Sequence, residues 1–248
     1  MSGTLQGRVA VITGASSGIG AATARLLAAE GADVALLARR VDRLEALALE
    51  LKEYGAQVLV IATDVTDPSA IAAAADQIAN GLGRVDLLVN NAGVMLLSPF
   101  EADLVDEWKQ MIDVNFTAVL DTTRAFLPAI REGGGDIVNI SSVAGRVVFE
   151  RSSVYNGTKH AVGAWSEALR KELAGTGVRV GLIEPGVVAT ELTTHSSHDE
   201  TKAVYAERYD GVERLEASDI ADAVLFMVSR PARAAINEIL VRPSAQKP

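Results

Sequence analysis

The chain has 248 residues, room for one large domain with a buried core; 49% are hydrophobic but only 4% aromatic, a balance that suits close-packed helices over a buried sheet. It has no cysteine, which excludes disulfides, thiol catalysis and thiolate metal sites, and its formal net charge of -9 argues against a general nucleic-acid or anionic-membrane surface. The opening stretch MSGTLQGRVAVITG lacks the basic-then-apolar pattern of a signal peptide and no apolar run is long enough to span a bilayer, so a soluble cytoplasmic protein without a membrane partner is expected.

In chain order, RVAVIT (8–13) predicts a first strand, followed by a glycine cluster and the helix AATARLLAAEG. DVALLA (33–38) predicts the second strand. VDRLEALALELKEYG (41–55) puts Leu44, Leu47 and Leu51 on one helical face, with Gly55 as the stop. QVLVIATDV (57–65) is strand three, and DPSAIAAAADQIANG (67–81) opens on an Asp-Pro pair suited to a helix start. VDLLVNNAG (85–93) is strand four, 102–131 is largely helical, and GDIVNISS (135–142) is strand five. VYNGTKHAVGAWSEALRKELAG (154–175) reads as a long helix despite two internal glycines, before strand six, VRVGLIEPG (178–186). Residues 187–216 are polar and irregular with room for one helix. SDIADAVLFMVS (218–229) and INEILVRP (236–243) close the chain as a helix and a strand. Strands that are continuous apolar runs, alternating with helices, predict an α/β doubly wound, mostly parallel seven-stranded sheet. A single domain over 1–248 accounts for the pattern, with 187–216 as its variable substrate loop.

TGASSGIG (Thr13–Gly20) follows the first strand and opens a helix. Gly14 permits the tight turn, Gly18 allows close backbone approach, and Gly20 lets helix and sheet pack. Amides at that helix start would meet a pyrophosphate, with Ser16 and Ser17 adding hydroxyls. The spacing departs from GxGxxG, and no Gly-Lys-Ser/Thr follows, so nucleotide hydrolysis is disfavoured. Strand two ends in Ala38-Arg39-Arg40 instead of the acidic residue that reads adenosine ribose hydroxyls. That favours NADP(H), with Arg39 as the first candidate for the 2′-phosphate and Arg40 beside it; a solvated helix start is the plainer alternative. Asp64 and Val65 close strand three near the expected adenine edge. Asn91, Ala92 and Gly93 close strand four, where ligands of open sheets collect.

SSVYNGTKHAV (152–162) sets Tyr155 four residues before Lys159, on one helical face. A nearby ammonium is expected to lower the tyrosine pKa and suit it to proton transfer. His160, His195 and His198 do not make a convincing metal set, and no metal is expected.

TGASSGIG, Asp64-Val65, NNAG (90–93), Asn115 in IDVNF, ISS (140–142), YNGTK (155–159) and Pro185-Gly186 appear in an order and spacing that resembles the classical short-chain dehydrogenase/reductase family. The resemblance spans nearly the whole chain and implies a Rossmann-like fold. It implies catalytic roles for Asn115, Ser142, Tyr155 and Lys159. It assigns Tyr155 and Lys159, with Gly14, Ser16, Ser17, Gly18, Ile19, Gly20, Asn91, Ala92, Gly93, Pro185, Gly186, Val188 and Thr190, to the coenzyme site. Tyr155 would exchange a proton with the substrate oxygen that Ser142 holds, Lys159 would also hold the nicotinamide ribose, and Asn115 would support a water relay. The ending NEILVRPSAQ departs from the common pattern and resembles NADP-dependent clavulanic acid dehydrogenase-like and hydroxy-acid/serine dehydrogenase-like reductases. Asn156-Gly157 after the tyrosine is a second departure, expected to affect the pocket wall or the helix start.

The substrate wall is expected from 93–100, 143–151 and 187–216. Met95, Leu96, Val148 and Phe149 would make it apolar, and Arg146 or Arg151 are candidates for reading a carboxylate. The expected activity is interconversion of a small-molecule ketone or aldehyde with its alcohol. The alternatives are reduction of a 3-oxoacyl group on acyl carrier protein and a non-enzymatic NADP-sensing protein. The family resemblance implies a homotetramer, with a homodimer as the alternative.

Overall fold

The computed structural model describes residues 3–246, with the side chains of Thr193 and Thr194 left aside. Its strands are β1 (Val9–Thr13), β2 (Asp33–Ala38), β3 (Val58–Ala62), β4 (Leu87–Asn90), β5 (Gly135–Ile140), β6 (Val178–Pro185) and β7 (Glu238–Val241). They form one seven-stranded sheet in the order β3-β2-β1-β4-β5-β6-β7, and every pairing is parallel. The central strands β1 and β4 are buried along their whole length, which is why they read as unbroken apolar runs. The edge strands β3 and β7 keep partly exposed positions.

The helices are α1 (Gly18–Ala29), α2 (Val41–Leu51), α3 (Pro68–Gly81), α4 (Val105–Ile112), α5 (Ala118–Gly133), α6 (Ser153–Glu172), α7 (Asp199–Arg208) and α8 (Ala217–Val228). Successive strand residues face opposite sides of the sheet. Ala10 and Ile12 of β1 therefore pack with Leu27, Leu44 and Val224 from α1, α2 and α8. Val9 and Val11 pack with Ile71, Phe126, Ile130 and Leu169 from α3, α5 and α6. Asp67 caps α3 by accepting from the amides of Ser69 and Ala70, with Pro68 at the first helical position. No helix among the described residues is long and apolar enough to cross a membrane.

The strands stop earlier than their apolar runs suggest. β3 ends at Ala62, β4 at Asn90 and β5 at Ile140, so 63–65, 91–93 and 141–142 leave the ladder as loops at the carboxyl edge of the sheet. The region 102–131 is not one helix: a wide π-helical turn, Asp113–Thr117, separates α4 from α5. The segment 187–216 is more ordered than its polarity suggests, with a short 3-10 turn at Glu191–Thr194 and then α7. His198 belongs to no solvated loop; its Nδ1 accepts from the Thr201 amide and caps α7.

At the opposite edge of the sheet, Asp136 is almost wholly buried between two arginines. Arg8 Nη2 donates to Asp136 Oδ2 at 2.6 Å, and Arg179 donates to both carboxylate oxygens at 2.7 and 2.9 Å. The same guanidiniums donate to backbone carbonyls at Val228, Arg230 and Ala234. Asp136→Ala strands two partly buried cations and is expected to cost about 3–5 kcal/mol in urea unfolding. Gly157, inside α6, has nothing within 4 Å of where a Cβ would stand. Gly157→Ala is therefore expected to raise stability by about 1 kcal/mol in the same assay.

Candidate active site

The strand order reverses between β1 and β4, and the loops that follow diverge to leave a cleft of about 640 Å³ over the carboxyl ends of the strands. The closeness of β1 and β4 here is enforced by Thr13 and Asn91. Thr13 Oγ1 accepts from the amides of Asn91 and Ala92, both at 3.0 Å, and Asn91 Nδ2 donates to Thr13 O at 2.9 Å and Gly14 O at 3.3 Å. Gly14 has φ +66°, and a Cβ there would lie 2.9 Å from the Ala92 Cα and the Asn91 Nδ2. A Cβ on Gly20 would fall 2.4 Å from Gly14 O. Gly20 thus stands behind the turn and packs it, while Ser16, Ser17, Gly18 and Ile19 face the cleft with Gly14.

At this end the cleft also takes in Arg39, Arg40, Asp64 and Val65. Arg40 Nε donates to Ser16 Oγ at 3.1 Å and Nη2 to Ser17 Oγ at 2.6 Å; its Nη1 pairs with Glu191 Oε2 at 2.8 Å. Arg39 is exposed beside it. Ser17 precedes the first turn of α1 in extended conformation without capping it, and that turn holds no acidic residue. Open helix-start amides beside two guanidiniums fit an anionic phosphate group. The Asp64 carboxyl is held below its ordinary value, first by the Thr66 amide and then by the Thr66 hydroxyl.

In the middle, Asn91, Ala92 and Gly93 form one wall, and Pro185, Gly186, Val188 and Thr190 the other. Ser142, Tyr155 and Lys159 share the far end. Ser142 Oγ accepts from the Ala144 amide at 3.1 Å, which fixes the turn after β5, and also hydrogen-bonds the Tyr155 phenol. The neighbouring Ser141 points elsewhere. Its hydroxyl donates to the Lys159 carbonyl at 3.1 Å and pins α6 to the sheet. Lys159 Nζ donates to Ile140 O at 3.1 Å and lies 5.7 Å from the centre of the Tyr155 ring. Asn115 does not line the cleft. The π turn directs its side chain at the backbone of Val94, accepting from the amide at 2.8 Å and donating to the carbonyl at 2.9 Å, and it reaches Thr158 Oγ1 at 3.2 Å. Thr158, which sequence patterning did not single out, donates in turn to Tyr155 O at 2.8 Å.

The expected lowering of the Tyr155 pKa by its lysine is overturned. Both groups are buried, so loss of water dominates. The phenol is pushed up to about 12, with the Ser142 hydrogen bond working the other way, and the Lys159 ammonium is pushed down to about 8.

The substrate-side wall also departs from expectation. Met95, Leu96 and Phe149 line it, but Val148 is 76% exposed and turned away. Arg146 pairs with Glu184 and Glu238, and Arg151 with Glu200 at 2.9 Å, so neither guanidinium faces the cleft. The remaining wall comes from Leu192, His195, Tyr205, Arg208 and Tyr209. Arg208 lies 5.5 Å from the centre of the Phe149 ring. The unusual Asn156 serves this wall: its Nδ2 donates to Phe149 O at 2.9 Å. Among the described residues, no three His, Asp or Glu side chains could hold a metal ion.

Residues 8–201 match the family model described as short chain dehydrogenase. The chain is 44% identical over 242 residues to an uncharacterized oxidoreductase of Staphylococcus saprophyticus, covering 96% of this chain and 97% of that one. It is similar to the structure of an alcohol dehydrogenase from Thermococcus sibiricus complexed with 5-hydroxy-NADP (TM-score 0.87, 32% identity, 97% and 98% of the two chains). It is similar as well to the closed form of a serine dehydrogenase complexed with NADP+ (TM-score 0.88, 34% identity, 96% of each chain).

The Lys159 shift has a definite sign. Between pH 8 and 10.5 the unfolded chain holds a proton that the folded chain has released, so folding stability rises with pH across that window. Lys159→Met lacks this contribution. From pH 7.5 to 9.5, urea unfolding is expected to show the wild type gaining about 2 kcal/mol relative to the variant. A constant difference between the two proteins would contradict the buried-ammonium account.

Proposed function

The chain belongs to the short-chain dehydrogenase family, and on that premise we propose that it is an NADP(H)-dependent oxidoreductase interconverting a small ketone or aldehyde with its alcohol. The observation that carries the reading is the meeting of Ser142 with the buried Tyr155 and Lys159 at one end of a cleft whose other end is a glycine turn flanked by arginines. The NADP ligands of the Thermococcus and serine dehydrogenase structures support the choice of coenzyme. A coenzyme would be held by the Gly14–Ile19 turn, by Asp64 and Val65 at the adenine end, and by Asn91–Gly93, Pro185, Gly186, Val188 and Thr190 along its length. Arg40, not Arg39, takes first place as the reader of the 2′-phosphate, because its guanidinium is already turned onto Ser16 and Ser17. Lys159 would hold the nicotinamide ribose.

When bound, the coenzyme supplies or accepts a hydride. The chain's own contribution is to hold the substrate oxygen and its proton. Burial keeps the Tyr155 phenol protonated at neutral pH, so in reduction it presents a proton to the carbonyl oxygen. Ser142 gives that oxygen a second hydrogen bond and polarises the carbonyl. In oxidation the roles reverse: the ionised Tyr155 oxygen would take up the alcohol's proton while Ser142 holds its oxygen. Asn115 holds Val94 and Thr158 in place through its side chain, and the water relay behind Lys159 is proposed for it as part of the same reading.

The finer grouping with clavulanic acid dehydrogenase-like and serine dehydrogenase-like reductases rests on the NEILVRP ending. A homotetramer, with a homodimer as the alternative, is part of the same reading. Exposed apolar side chains on α4, Val105 and Ile112, support burial against another copy.

The test is turnover of a panel of ketones, aldehydes, hydroxy acids and a 3-oxoacyl thioester with NADPH and with NADH. Preference for NADPH and for small carbonyl compounds is expected. Dominant use of the thioester would favour acyl-chain reduction, and binding without any turnover would favour a sensor. With an accepted substrate, Tyr155→Phe is expected to lower single-turnover reduction roughly 10²–10⁴-fold while NADPH still binds.

A further inference from the structure

Glu191 follows Thr190 on the loop after β6, on the opposite side of the cleft from α2. Its carboxylate nevertheless takes up two of the three arginines of that side: Oε2 accepts from Arg40 Nη1 at 2.8 Å, and Oε1 from Arg43 Nη1 at 2.8 Å. Arg40 is the same residue that donates to Ser16 and Ser17 in the glycine turn. The side chains are 40–45% exposed, so an incoming anion can reach the pair and water weakens it. The loop itself lies close to the turn. A Cβ on Gly18 would come within 3.1 Å of the Thr190 Cγ2. The carboxylate thus ties the loop after β6 to the start of α2, and through Arg40 to the glycine turn after β1, at the arginine end of the cleft.

We propose that Glu191 is a specificity-determining residue, an internal counter-anion that occupies the arginines the 2′-phosphate of NADP(H) requires and so sets how strongly the chain prefers that coenzyme over NAD(H). The inference rests on the NADP(H) reading above. A dianionic phosphate presents more charge and more acceptor oxygens to Arg40 and Arg43 than a carboxylate does. It can therefore take them, but only by displacing a bound anion. A coenzyme without the 2′-phosphate has no such exchange to make, because its remaining groups contact the glycine turn and the strand ends.

The experiment is calorimetric titration of the full chain and of Glu191→Gln with NADPH, NADH and 2′,5′-ADP, a probe that carries the 2′-phosphate without the nicotinamide half. Circular dichroism and thermal unfolding establish that the variant is folded. Glu191→Gln is expected to tighten NADPH and 2′,5′-ADP about three- to tenfold while leaving NADH within about twofold. Glu191→Asp keeps the charge and is expected to stay nearer the wild type than Glu191→Gln. Unchanged or weakened binding of both phosphorylated ligands in folded Glu191→Gln would overturn the proposal. Equal tightening of NADH would overturn it as well, since the loop and not the phosphate would then be responsible. Wild-type preference for NADH over NADPH is a separate result. It would overturn the coenzyme reading, and the 2′,5′-ADP titration would still decide whether Glu191 competes for the arginines.

Discussion

The mutual capture of Thr13 and Asn91 is the constraint on which the cleft depends. β1 and β4 are neighbours in the sheet, but their following loops must part if a ligand is to lie across the strand ends. Four hydrogen bonds between Thr13, Asn91 and their neighbours hold the strand ends together at the last point before the loops separate. Two of the four are donated by the Asn91 side-chain amide to the carbonyls of Thr13 and Gly14, which frees the turn from needing other partners there. With a Cβ at Gly14 or Gly20 this arrangement would be filled by the chain's own atoms. The glycines therefore act less through flexibility than by making room for a second strand's side chain.

The far end of the cleft is organised by a different balance. Tyr155 and Lys159 are both withdrawn from water, and each is pushed toward its neutral form. A buried ammonium that donates, among the described residues, to one backbone carbonyl is an expensive arrangement for folding. The surrounding polar groups are correspondingly well anchored. Asn115 satisfies both backbone groups of Val94, Thr158 returns to Tyr155 O, and Ser141 secures the Lys159 carbonyl. Rigidity is supplied by residues that do not face the cleft, and the reactive hydroxyls are left with hydrogen-bonding capacity to spare.

Much of this is legible in the sequence because the sheet is parallel and covered on both sides. Such strands must be apolar throughout, and runs such as DVALLA announce themselves; its boundaries are those of β2. The glycine turn and the Tyr155–Lys159 spacing are equally visible, since both are local. What escapes are features decided by distant parts of the chain. The π turn at Asn115 leaves no mark on a helical pattern, because one extra residue in a turn changes periodicity less than ordinary sequence variation does. Helix spacing reveals the ammonium beside Tyr155 but not the depth of burial, so it gives the wrong sign for the phenol. Arg146 and Arg151 look available for substrate because their partners Glu184, Glu238 and Glu200 lie 38 or more residues away. Tyr205 and Arg208 lie in the 187–216 segment expected to supply the substrate wall; which of its residues reach the cleft is set by the packing of α7, which the local pattern does not disclose.

The Asp136 junction bears on the order of events as the chain emerges during synthesis. Arg8 precedes β1, yet its side chain donates to Asp86 O, Asp136 and the carbonyl of Val228, 78, 128 and 220 positions later. The first three strands can pair as they appear, but the edge of the sheet where Arg8 lies cannot close until α8 has left the ribosome. Until then Arg8 can pair with Asp136, but neither Arg8 nor Arg179 has the Val228 carbonyl that completes the junction. Contacts of such long sequence separation slow folding and lengthen the life of incomplete forms. A chain cut short before α8 would accordingly keep its glycine turn and lose the closure that makes the sheet a finished unit.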